Sequence, residues 1–469
     1  MARTQPVQLF GLGLQGKSPN VTAQQRINLY AEISYEQDKS RVAYFGTPGT
    51  VAFSTLGVKA LRGMHVPKVS DYIYAIVEDR FYRVDATGAA VQKGTLSTVG
   101  GHVAMESDGV RILMVDGVGG YYYNMQTDAF TPASSPNFPN GAQTVSFLAG
   151  RMICEDPSVT GQFRWSDQYS DTWPTLNFAR AEASPDGLAG TFVMNGQLML
   201  LGNLTLEPWG VTEDDELPYA PIRGAVAQWG IAAVQSASSY MGTLAFLGRT
   251  LEGQVQVVKM VGYQPVPISI PELDYRINNF VTVEDAQAFS YMLGGHPMYE
   301  ITFPTAGETW LYDGLSQCWS EVKTGAGRHI AELAVNYRNQ IYVSDYRSGA
   351  ILRLDPTALT DNGEAIIRTI QGKHIADGGG LSVAEMWIDV EMGVGTATGQ
   401  GSDPQLMLQT SKDGGSTWSN ELWHSIGPQG VRQRRAIFRR LGWGFDWVFR
   451  VSLSDPVRLS LVGAYMIAA

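Results

Sequence analysis

The chain has 469 residues, enough for one very large domain or for two to three smaller ones. Hydrophobic residues make up 44% and charged residues 17%, which excludes a disordered chain and permits a packed core. The net charge of −11 argues against a protein whose whole surface binds nucleic acid. The charge is compatible with a surface past which DNA slides without sticking, but on charge alone simple solubility is the favoured explanation.

Cysteine content and hydropathy indicate where the chain folds. Cys154 and Cys318 are the only cysteines, too few for a disulfide framework. The first residues lack a charged region followed by an apolar run, so we expect no signal peptide. No stretch of about 18 apolar residues occurs, so we expect no membrane span. These features predict a chain that is made and folded in a cytoplasm.

Residues 1–50 carry little regular pattern and are predicted to form an N-terminal arm. Within them, Ile27, Leu29 and Ala31 alternate with polar residues, which is compatible with a strand that docks elsewhere. Residues 47–50 are a turn signal.

A β-hairpin is predicted at residues 71–85, where two apolar strands flank a charged turn and the second strand ends at Asp85. Similar stretches recur at residues 111–124, 151–167, 197–210, 243–259, 298–313 and 341–355. Four of the seven stretches end in Asp, namely Asp85, Asp167, Asp313 and Asp355. The step of roughly 40 to 55 residues is typical of four-stranded propeller blades.

One hairpin cannot bury both of its faces, so such units stack radially and share a core. We therefore predict an all-β chain, with a β-propeller of about seven blades over residues 51–372. The alternative is a β-rich protein with ordinary hairpins, because the copies match in pattern more than in identity.

Two further loops lie within the predicted propeller. Residues 183–187 are a turn signal. Residues 212–218, the acidic loop, hold four consecutive carboxylates from Glu213 to Glu216. They suit a cation site or an acidic lip at a pore mouth, but a solvated loop is favoured because the alternating spacing of calcium-loop ligands is absent.

The composition changes after Thr369. Residues 374–380 are glycine-rich and predict a hinge. Residues 381–469 are predicted to form a small C-terminal β-sandwich, with strands near residues 385–392, 406–410, 447–453 and 458–466.

Residues 411–418 fit the Asp-box pattern S-x-D-G-x-x-x-W of sialidase-like propellers. We expect a hairpin turn in which Asp413 bonds turn amides, glycines including Gly415 adopt positive φ, and Trp418 packs beneath. Ser411 completes the pattern. The pattern indicates a structural turn and is weak support for sialidase activity.

The C-terminal region also holds a basic cluster, the arginine strip. Residues 430–458 contain seven Arg and two Asp. The strip is a candidate interface with an acidic partner or with the DNA channel, because Arg pairs bidentately with carboxylate and phosphate. The alternative is a solvated edge strand whose charges prevent unwanted pairing. Its members are Arg432, Arg434, Arg435, Arg439 and Arg440. The aromatic residues predicted to form sandwich core behind it are Trp443, Phe445, Trp447 and Phe449.

No catalytic signature is visible in the sequence. The six His residues are scattered, and no H-E-x-x-H, C-x-x-C, G-x-S-x-G or Walker A pattern occurs. The loose G-x-G-x-x-G at residues 11–16 follows no βαβ pattern. We therefore predict no catalytic residue, no metal ligand and no cofactor, although carboxylate pairs for glycoside cleavage assemble in space and stay open.

Several islands carry a family resemblance. They are residues 28–31 (NLYA), 47–50 (TPGT), 183–190 (ASPDGLAG), 198–202 (LMLLG), 440–442, 449–451 and 455–464 (DPVRLSLVGA). On these residues the chain resembles the tail hub, or nozzle, proteins of short-tailed phages, also called packaged-DNA stabilisation proteins. The similarity spans nearly the whole length but is thin between the islands.

The resemblance implies a non-enzymatic virion protein in a ring, a homohexamer, below the portal and its adaptor ring. The ring would extend the DNA channel, let double-stranded DNA pass without sequence specificity, and help a needle or plug to retain the genome. Tailspikes or fibres are further expected partners, and the virion tail is the expected location.

Two other functions stay open at this point. The Asp-box and the aromatic residues suit a carbohydrate-binding or carbohydrate-active propeller, which would need a central pocket with clustered carboxylates or arginines. A host-surface binding module is the other possibility.

Overall fold

The structure is a computed structural model that describes residues 5–7, 9–34, 41–181, 184, 186–376 and 378–468. Within these ranges nearly all regular structure is β. Ala183 and Pro185 of the predicted turn, and Asp377 of the predicted hinge, lie outside the described residues.

Five strands precede the first complete blade. They are β1 (Gln5–Val7), β2 (Gln25–Ile27), β3 (Leu29–Ile33), β4 (Val42–Gly46) and β5 (Gly49–Thr55). Strands β1, β2, β4 and β5 pair with strands from much later in the chain, whereas β3 pairs with β4.

Seven antiparallel sheets follow, as far as the chain is described, and each forms one propeller blade. The first blade is β6 (Leu61–His65), β7 (Ile73–Val77), β8 (Arg80–Val84) and β9 (Ala90–Thr95). The second is β10 (Ala104–Ser107), β11 (Arg111–Val115), β12 (Gly120–Asn124) and β13 (Ala129–Pro132). The third is β14 (Ser146–Leu148), β15 (Arg151–Glu155), β16 (Gln162–Trp165) and β17 (Phe178–Arg180). The fourth is β18 (Leu188–Met194), β19 (Gln197–Gly202), β20 (Leu206–Val211) and β21 (Tyr219–Pro221).

In the fifth blade a 3₁₀ turn at Val234–Ser236 splits the inner strand in two. This blade is β22 (Trp229–Ile231), β23 (Ser238–Tyr240), β24 (Thr243–Thr250), β25 (Val255–Val261) and β26 (Gln264–Pro267), and helix α1 (Pro271–Ile277) follows it. The sixth is β27 (Gln287–Leu293), β28 (His296–Phe303), β29 (Glu308–Asp313) and β30 (Cys318–Glu321). The short pair β31 (Lys323–Thr324) and β32 (Gly327–Arg328) leads to the seventh, β33 (Ala331–Tyr337), β34 (Gln340–Asp345) and β35 (Ala350–Asp355).

The repeated hairpins supply the two central strands of every blade, as β7–β8 do in the first and β34–β35 in the seventh. The recurrent Asp has a physical reason. The carboxylates of Asp85, Asp313 and Asp355 each accept a hydrogen bond from the backbone amide two residues on, at 2.8–2.9 Å. Each therefore fixes the turn that leaves the hairpin. The predicted propeller of about seven blades is confirmed.

The ring of blades is closed by the N-terminal segment. Strand β5 pairs antiparallel with β35, from Gly49 opposite Asp355 to Thr55 opposite Ala350, and is the outer strand of the seventh blade. Blade seven then packs on blade one, where Ile73 and Ala75 meet Tyr337 and Ile351 in one buried cluster. Because comparable clusters lie between the other neighbouring blades, every blade buries both faces.

The C-terminal region is a two-sheet sandwich, as predicted. Strands β36 (Thr360–Asp361) and β37 (Glu364–Ala365) come first and extend the sheet of the seventh blade beyond β5. The sandwich strands that follow are β38 (Arg368–Gln371), β39 (Leu381–Val390), β40 (Gln405–Ser411), β41 (Leu422–Ser425), β42 (Ala436–Gly444), β43 (Val448–Leu453) and β44 (Ser460–Ala468). One sheet has the order β3-β4-β44-β39-β42, with β1 also on β44. The other runs β2-β38-β43-β40-β41 and continues through β2 into β30 of the sixth blade.

Both sandwich sheets therefore use strands from the predicted arm. Leu29, Ala31 and Tyr44 from the arm lie in the same buried cluster as Trp447 and Phe449 from the sandwich. The domain boundaries at residues 50, 372 and 381 stay a prediction. Within the described residues, the strand at 368–371 lies inside the sandwich sheet between β2 and β43.

A buried arginine fastens the arm to the sixth blade. The Arg26 guanidinium donates to the carbonyls of Gly11 (2.7 Å), Leu12 (3.0 Å), Gly13 (3.3 Å) and Trp319 (2.6 Å). The loose glycine pattern at residues 11–16 is thus a loop that presents carbonyls to an arginine. Burial lowers the Arg26 pKa, and the carbonyl dipoles compensate the buried charge.

The predicted aromatic core of the sandwich is half wrong. Trp447 and Phe449 are fully buried and stacked at 5.4 Å. Trp443 and Phe445, however, are 51% and 61% exposed and contact each other edge-to-face at 4.4 Å. Trp443 is an exposed residue near the end of β42, and Phe445 lies in the bend after that strand ends at Gly444, so the period of two does not continue from β42 into β43.

Candidate interaction surface on the sandwich

The arginine strip divides into two parts at the start of β42. Arg432, Arg434 and Arg435 lie exposed in the loop that precedes the strand, whereas Arg439 and Arg440 lie on it. Strand β42 is the edge of its sheet, as the solvated-edge alternative requires. The structure brings the first three together at one groove and leaves the other two outside it.

This groove, the arginine groove, has a volume of about 580 Å³ and lies on the outer face of the sheet formed by β39 and β44. Its floor includes Trp387 and Tyr465, which face each other across β39 and β44. Pro6 on β1 continues the same row beside Tyr465. The aromatic floor gives a bound chain apolar surface on which to pack.

Charged side chains form the walls. Arg432, Arg434 and Arg435 lie on one side, and Asp389 and Glu391 belong to the end of β39 and the residue after it. The guanidinium carbon of Arg435 lies 5.2 Å from the centre of the Trp387 ring. Arg434 donates to the Ser425 hydroxyl at 3.3 Å.

No carboxylate among the described residues forms a salt bridge with Arg432, Arg434 or Arg435. Their charges therefore stay available to a partner. Arg differs from Lys here, because its planar fork of donors pairs bidentately with a carboxylate or phosphate group.

Arg439 is engaged within the subunit. Its Nε donates to the Glu385 carboxylate at 2.9 Å, and the Trp387 indole donates to the other Glu385 oxygen at 2.8 Å. The indole and guanidinium hydrogen bonds lower the Glu385 pKa. Arg440 stands at a β-bulge with φ of 60°, where the β39–β42 register shifts. These two arginines shape the edge rather than line the groove.

The Asp-box forms the turn that the sequence predicts. The Asp413 carboxylate accepts from the Ser416 (3.1 Å) and Thr417 (2.9 Å) amides, and Gly414 and Gly415 have φ of 70° and 94°. Hydrogen bonds to the Asp413 carboxylate, above all from the Thr417 hydroxyl, lower the Asp413 pKa to about 2.

The other two Asp-box residues hold this turn in place. Ser411 donates to Asp413 at 2.7 Å and accepts from the Gly415 amide at 2.8 Å. Trp418 is half-buried, with the Arg450 guanidinium carbon 3.8 Å from its ring centre. These contacts lie within the turn or join it to Arg450 on β43, so the Asp-box has a local structural role.

The acidic loop connects β20 and β21 and is exposed from Glu213 to Leu217. The Asp214 carboxylate accepts from the amides of Glu216 (2.8 Å) and Leu217 (3.3 Å), which fixes the loop's shape. Asp215, with 93% of its side chain exposed, lies 3.6 Å from Arg151. Groups of three or more ligands with metal-binding geometry do not occur among the described His, Cys, Asp and Glu residues.

The centre of the propeller holds a tunnel of about 320 Å³ lined by the inner strands of the blades. Its polar lining comes from neutral groups such as Thr144, Thr191, Gln235, Ser238 and Gln287. Neither a carboxylate nor an arginine of the described chain lines it. A sialidase-like or glycosidase-like centre needs such groups, so the carbohydrate-active alternative is not favoured.

Two buried histidines pair with acids of the sixth blade. His296 Nδ1 lies 2.9 Å from Asp313, and His329 Nδ1 lies 2.5 Å from Glu300. Burial opposes the charged His329, but the Glu300 carboxylate outweighs it and raises the His329 pKa to about 9. Both pairs are sealed from solvent, so they act in the fold.

Comparison with known proteins assigns nearly the whole chain. Residues 7–359 match the family model described as bacteriophage P22 Gp10, beta-propeller, and residues 369–468 match bacteriophage P22 Gp10, beta-sandwich. The chain belongs to the bacteriophage P22 Gp10 family. The two matches follow the same order as the two folded parts of the structure.

Membership in the P22 Gp10 family makes the chain a structural protein of a phage tail, located in the virion tail and assembled into a tail complex. No curated protein matches the chain. One similar solved structure is the N-terminal domain of Nup159, with 10% identity, a TM-score of 0.40, and coverage of 70% of this chain and 98% of that one. Among the described helices, none has the length and apolar character needed to traverse a bilayer.

Sequence reasoning found the arginines of the groove but missed its floor. The signal was present: Glu385, Trp387, Asp389 and Glu391 alternate with buried residues along one strand and its end. An aromatic residue among outward-facing charges predicts a partner-binding face better than a charge cluster alone does.

Proposed function

We propose that this P22 Gp10 family protein forms a ring, a homohexamer, that extends the DNA channel below the portal and adaptor and helps to retain the packaged genome. The observation that carries the proposal is the match of both folded parts, in order, to one phage tail family. Assembly takes place in the host cytoplasm, and the needle or plug and the tailspikes or fibres dock on the ring.

The size of the propeller tunnel supports a ring of several subunits. The major groove of B-DNA alone is about 12 Å wide, so a duplex needs a wide channel. Side chains from all seven blades, among them Met105, Phe192 and Phe289, line the tunnel, whose volume is about 320 Å³. We therefore assign the DNA channel to the space between subunits and not to a propeller axis.

Charge supports passage without retention by the walls. Sequence-independent DNA affinity comes from Lys and Arg on phosphates. A subunit with a net charge of −11 offers few such contacts, so DNA can slide through the ring when the plug leaves. The protein acts by architecture, and we propose no enzymatic activity for it.

Imaging of the purified chain with the portal–adaptor complex of its phage tests the proposal. We expect a six-fold ring at the narrow end of the adaptor, with a central opening wide enough for duplex DNA. A chain that stays monomeric in the presence of the adaptor would contradict the proposal. Screens with sialoside and glycoside substrates are expected to show no turnover, and turnover would revive the carbohydrate-active alternative.

A further inference from the structure

We propose that the arginine groove of one subunit receives the acidic loop of the next copy of the same chain. The inference rests on the proposed ring and names the contact that closes it. Two surfaces of opposite charge on one chain, each without sufficient internal partners, carry it.

The groove is the cationic side of the contact. Arg432, Arg434 and Arg435 are exposed, converge on one groove and form no salt bridge with any carboxylate of the described chain. Arg435 lies over the Trp387 ring, which holds its guanidinium near the floor. The Arg435 side chain therefore loses less conformational freedom when it binds a carboxylate, and its planar guanidinium can form a bidentate pair.

The acidic loop is the anionic side. Its four consecutive carboxylates stand in an exposed turn, and only the partly exposed Arg151–Asp215 pair engages one of them with a cation of the described chain. Because Asp214 already bonds the amides of Glu216 and Leu217, the loop keeps its shape in solution. Leu217, 57% exposed at its end, gives an apolar group for the aromatic floor.

We assign this contact to two subunits, because the two surfaces belong to separate parts of the chain. The acidic loop belongs to the fourth blade, whereas the groove lies on the sandwich, which joins the propeller through the pairing of β2 in its other sheet with β30 of the sixth blade. The two surfaces differ, so the contact is heterologous, and a heterologous contact closes into a ring when the rotation permits. The carboxylates of Asp389 and Glu391 also line the groove and repel an acidic partner, so the loop is expected to contact the arginines.

Charge reversal on each side, alone and combined, tests the contact in the full chain. The groove variant is R434E/R435E, and the loop variant is E213K/E216K, which leaves the Asp214 cap intact. Self-association is measured by mass photometry, alone and on the portal–adaptor complex, at low and high salt. We expect each variant to raise the dissociation constant by about tenfold or more, and the quadruple variant to recover wild-type assembly.

The control is K59E/R458E, which changes the net charge as much as R434E/R435E does, at two exposed positions outside the groove. It is expected to assemble normally, and all variants are expected to keep the wild-type melting temperature. A wild-type ring that survives both charge reversals would overturn this inference and leave the proposed function standing. A groove variant that fails without rescue by the loop variant would also overturn it, and would indicate an acidic partner other than a second copy. A wild-type chain that forms no ring in either condition would overturn both proposals.

Discussion

Arg26 shows how one side chain joins distant parts of this molecule. It is 1% exposed, and its donors satisfy four carbonyls from the arm and the sixth blade. An unsatisfied buried polar group costs about 1–3 kcal/mol. We therefore predict that Arg26→Ala lowers the free energy of unfolding by roughly 3 kcal/mol or more, measured by urea denaturation.

Arg458→Ala is the matched control for Arg26→Ala, because Arg458 is exposed. It is expected to change stability by less than about 0.5 kcal/mol. Equal effects of the two substitutions would show that the carbonyls near Arg26 find other donors. Arg26→Lys is expected to recover only part of the loss, because an ammonium has three donors and no planar fork.

His329 gives the protein a pH-dependent contribution to stability. Its pKa rises from 6.5 to about 9, since the adjacent Glu300 carboxylate outweighs the burial that opposes the charge. The folded state then binds the proton more tightly than the unfolded chain. The contribution is complete below pH 6.5 and disappears as the pH rises to about 9, which amounts to as much as about 3 kcal/mol.

Denaturation across this pH window measures the effect. We predict that the stability of the wild-type chain falls between pH 6.5 and 9 more steeply than that of His329→Gln. Burial raises the pKa of the nearby Asp361 and the His329 charge opposes that rise, so the substitution also changes the pKa of this carboxyl. Parallel pH curves for the two chains would mean that His329 is neutral in the folded protein.

At the scale of elements, the sequence predicted structure that depends on neighbouring residues, but it did not predict which distant strands pair. The seven hairpins were predictable because an apolar strand, a turn and a closing Asp lie within one window of sequence. Strand β5 closes the ring by pairing with residues 350–355, about three hundred positions away. The sequence of a short strand does not indicate which strand it pairs with when that partner is so distant in the chain.

The candidate surface could be predicted only in part, again because the sequence shows local patterns but not strand pairing. The density of arginine over a few residues is a local signal, but the division of the strip depends on the register of β42 against β39. That register pairs Arg439 with Glu385 and leaves Arg435 over Trp387. Trp443 and Phe445 were misassigned because the turn after β42 interrupts the alternation on which the prediction relied.

The borrowed strands lead to a prediction about the sandwich. Residues 369–468 alone lack β2, β3 and β4, so β38 and β44 would have unpaired edges and the core would lack Leu29 and Tyr44. We predict that this fragment does not fold by itself. Far-UV circular dichroism and thermal melting of the fragment, alone and fused to residues 5–46 by a flexible linker, are expected to show a cooperative transition only for the fusion.

A fusion carrying Leu29→Asp and Ala31→Asp is the control, because both positions are fully buried in the shared cluster. It is expected to behave like the fragment alone. A fragment of residues 369–468 that melts cooperatively without the arm would show that the arm strands are not required for the sandwich to fold.

At the scale of the whole molecule, the acidic surface and the arginine groove are expected to have different roles. The chain carries a net charge of −11, while three exposed arginines, Arg432, Arg434 and Arg435, converge in one groove on the sandwich. If the groove binds a neighbouring subunit, its arginines are covered in the ring and do not face DNA. The channel wall would then offer the duplex little cationic surface, which suits a conduit that must release its contents.

This separation predicts weak DNA binding by the purified chain. Fluorescence anisotropy with a short labelled duplex at 0.15 M salt is expected to give a dissociation constant weaker than about 1 μM, as for ordinary non-specific contacts. R434E/R435E is expected to leave that value unchanged while it weakens assembly. Tighter binding with a steep salt dependence, reduced by the same variant, would instead mean that the arginines face the duplex. In that case the groove would line the channel, and the subunit contact would have to lie elsewhere on the sandwich or the blades.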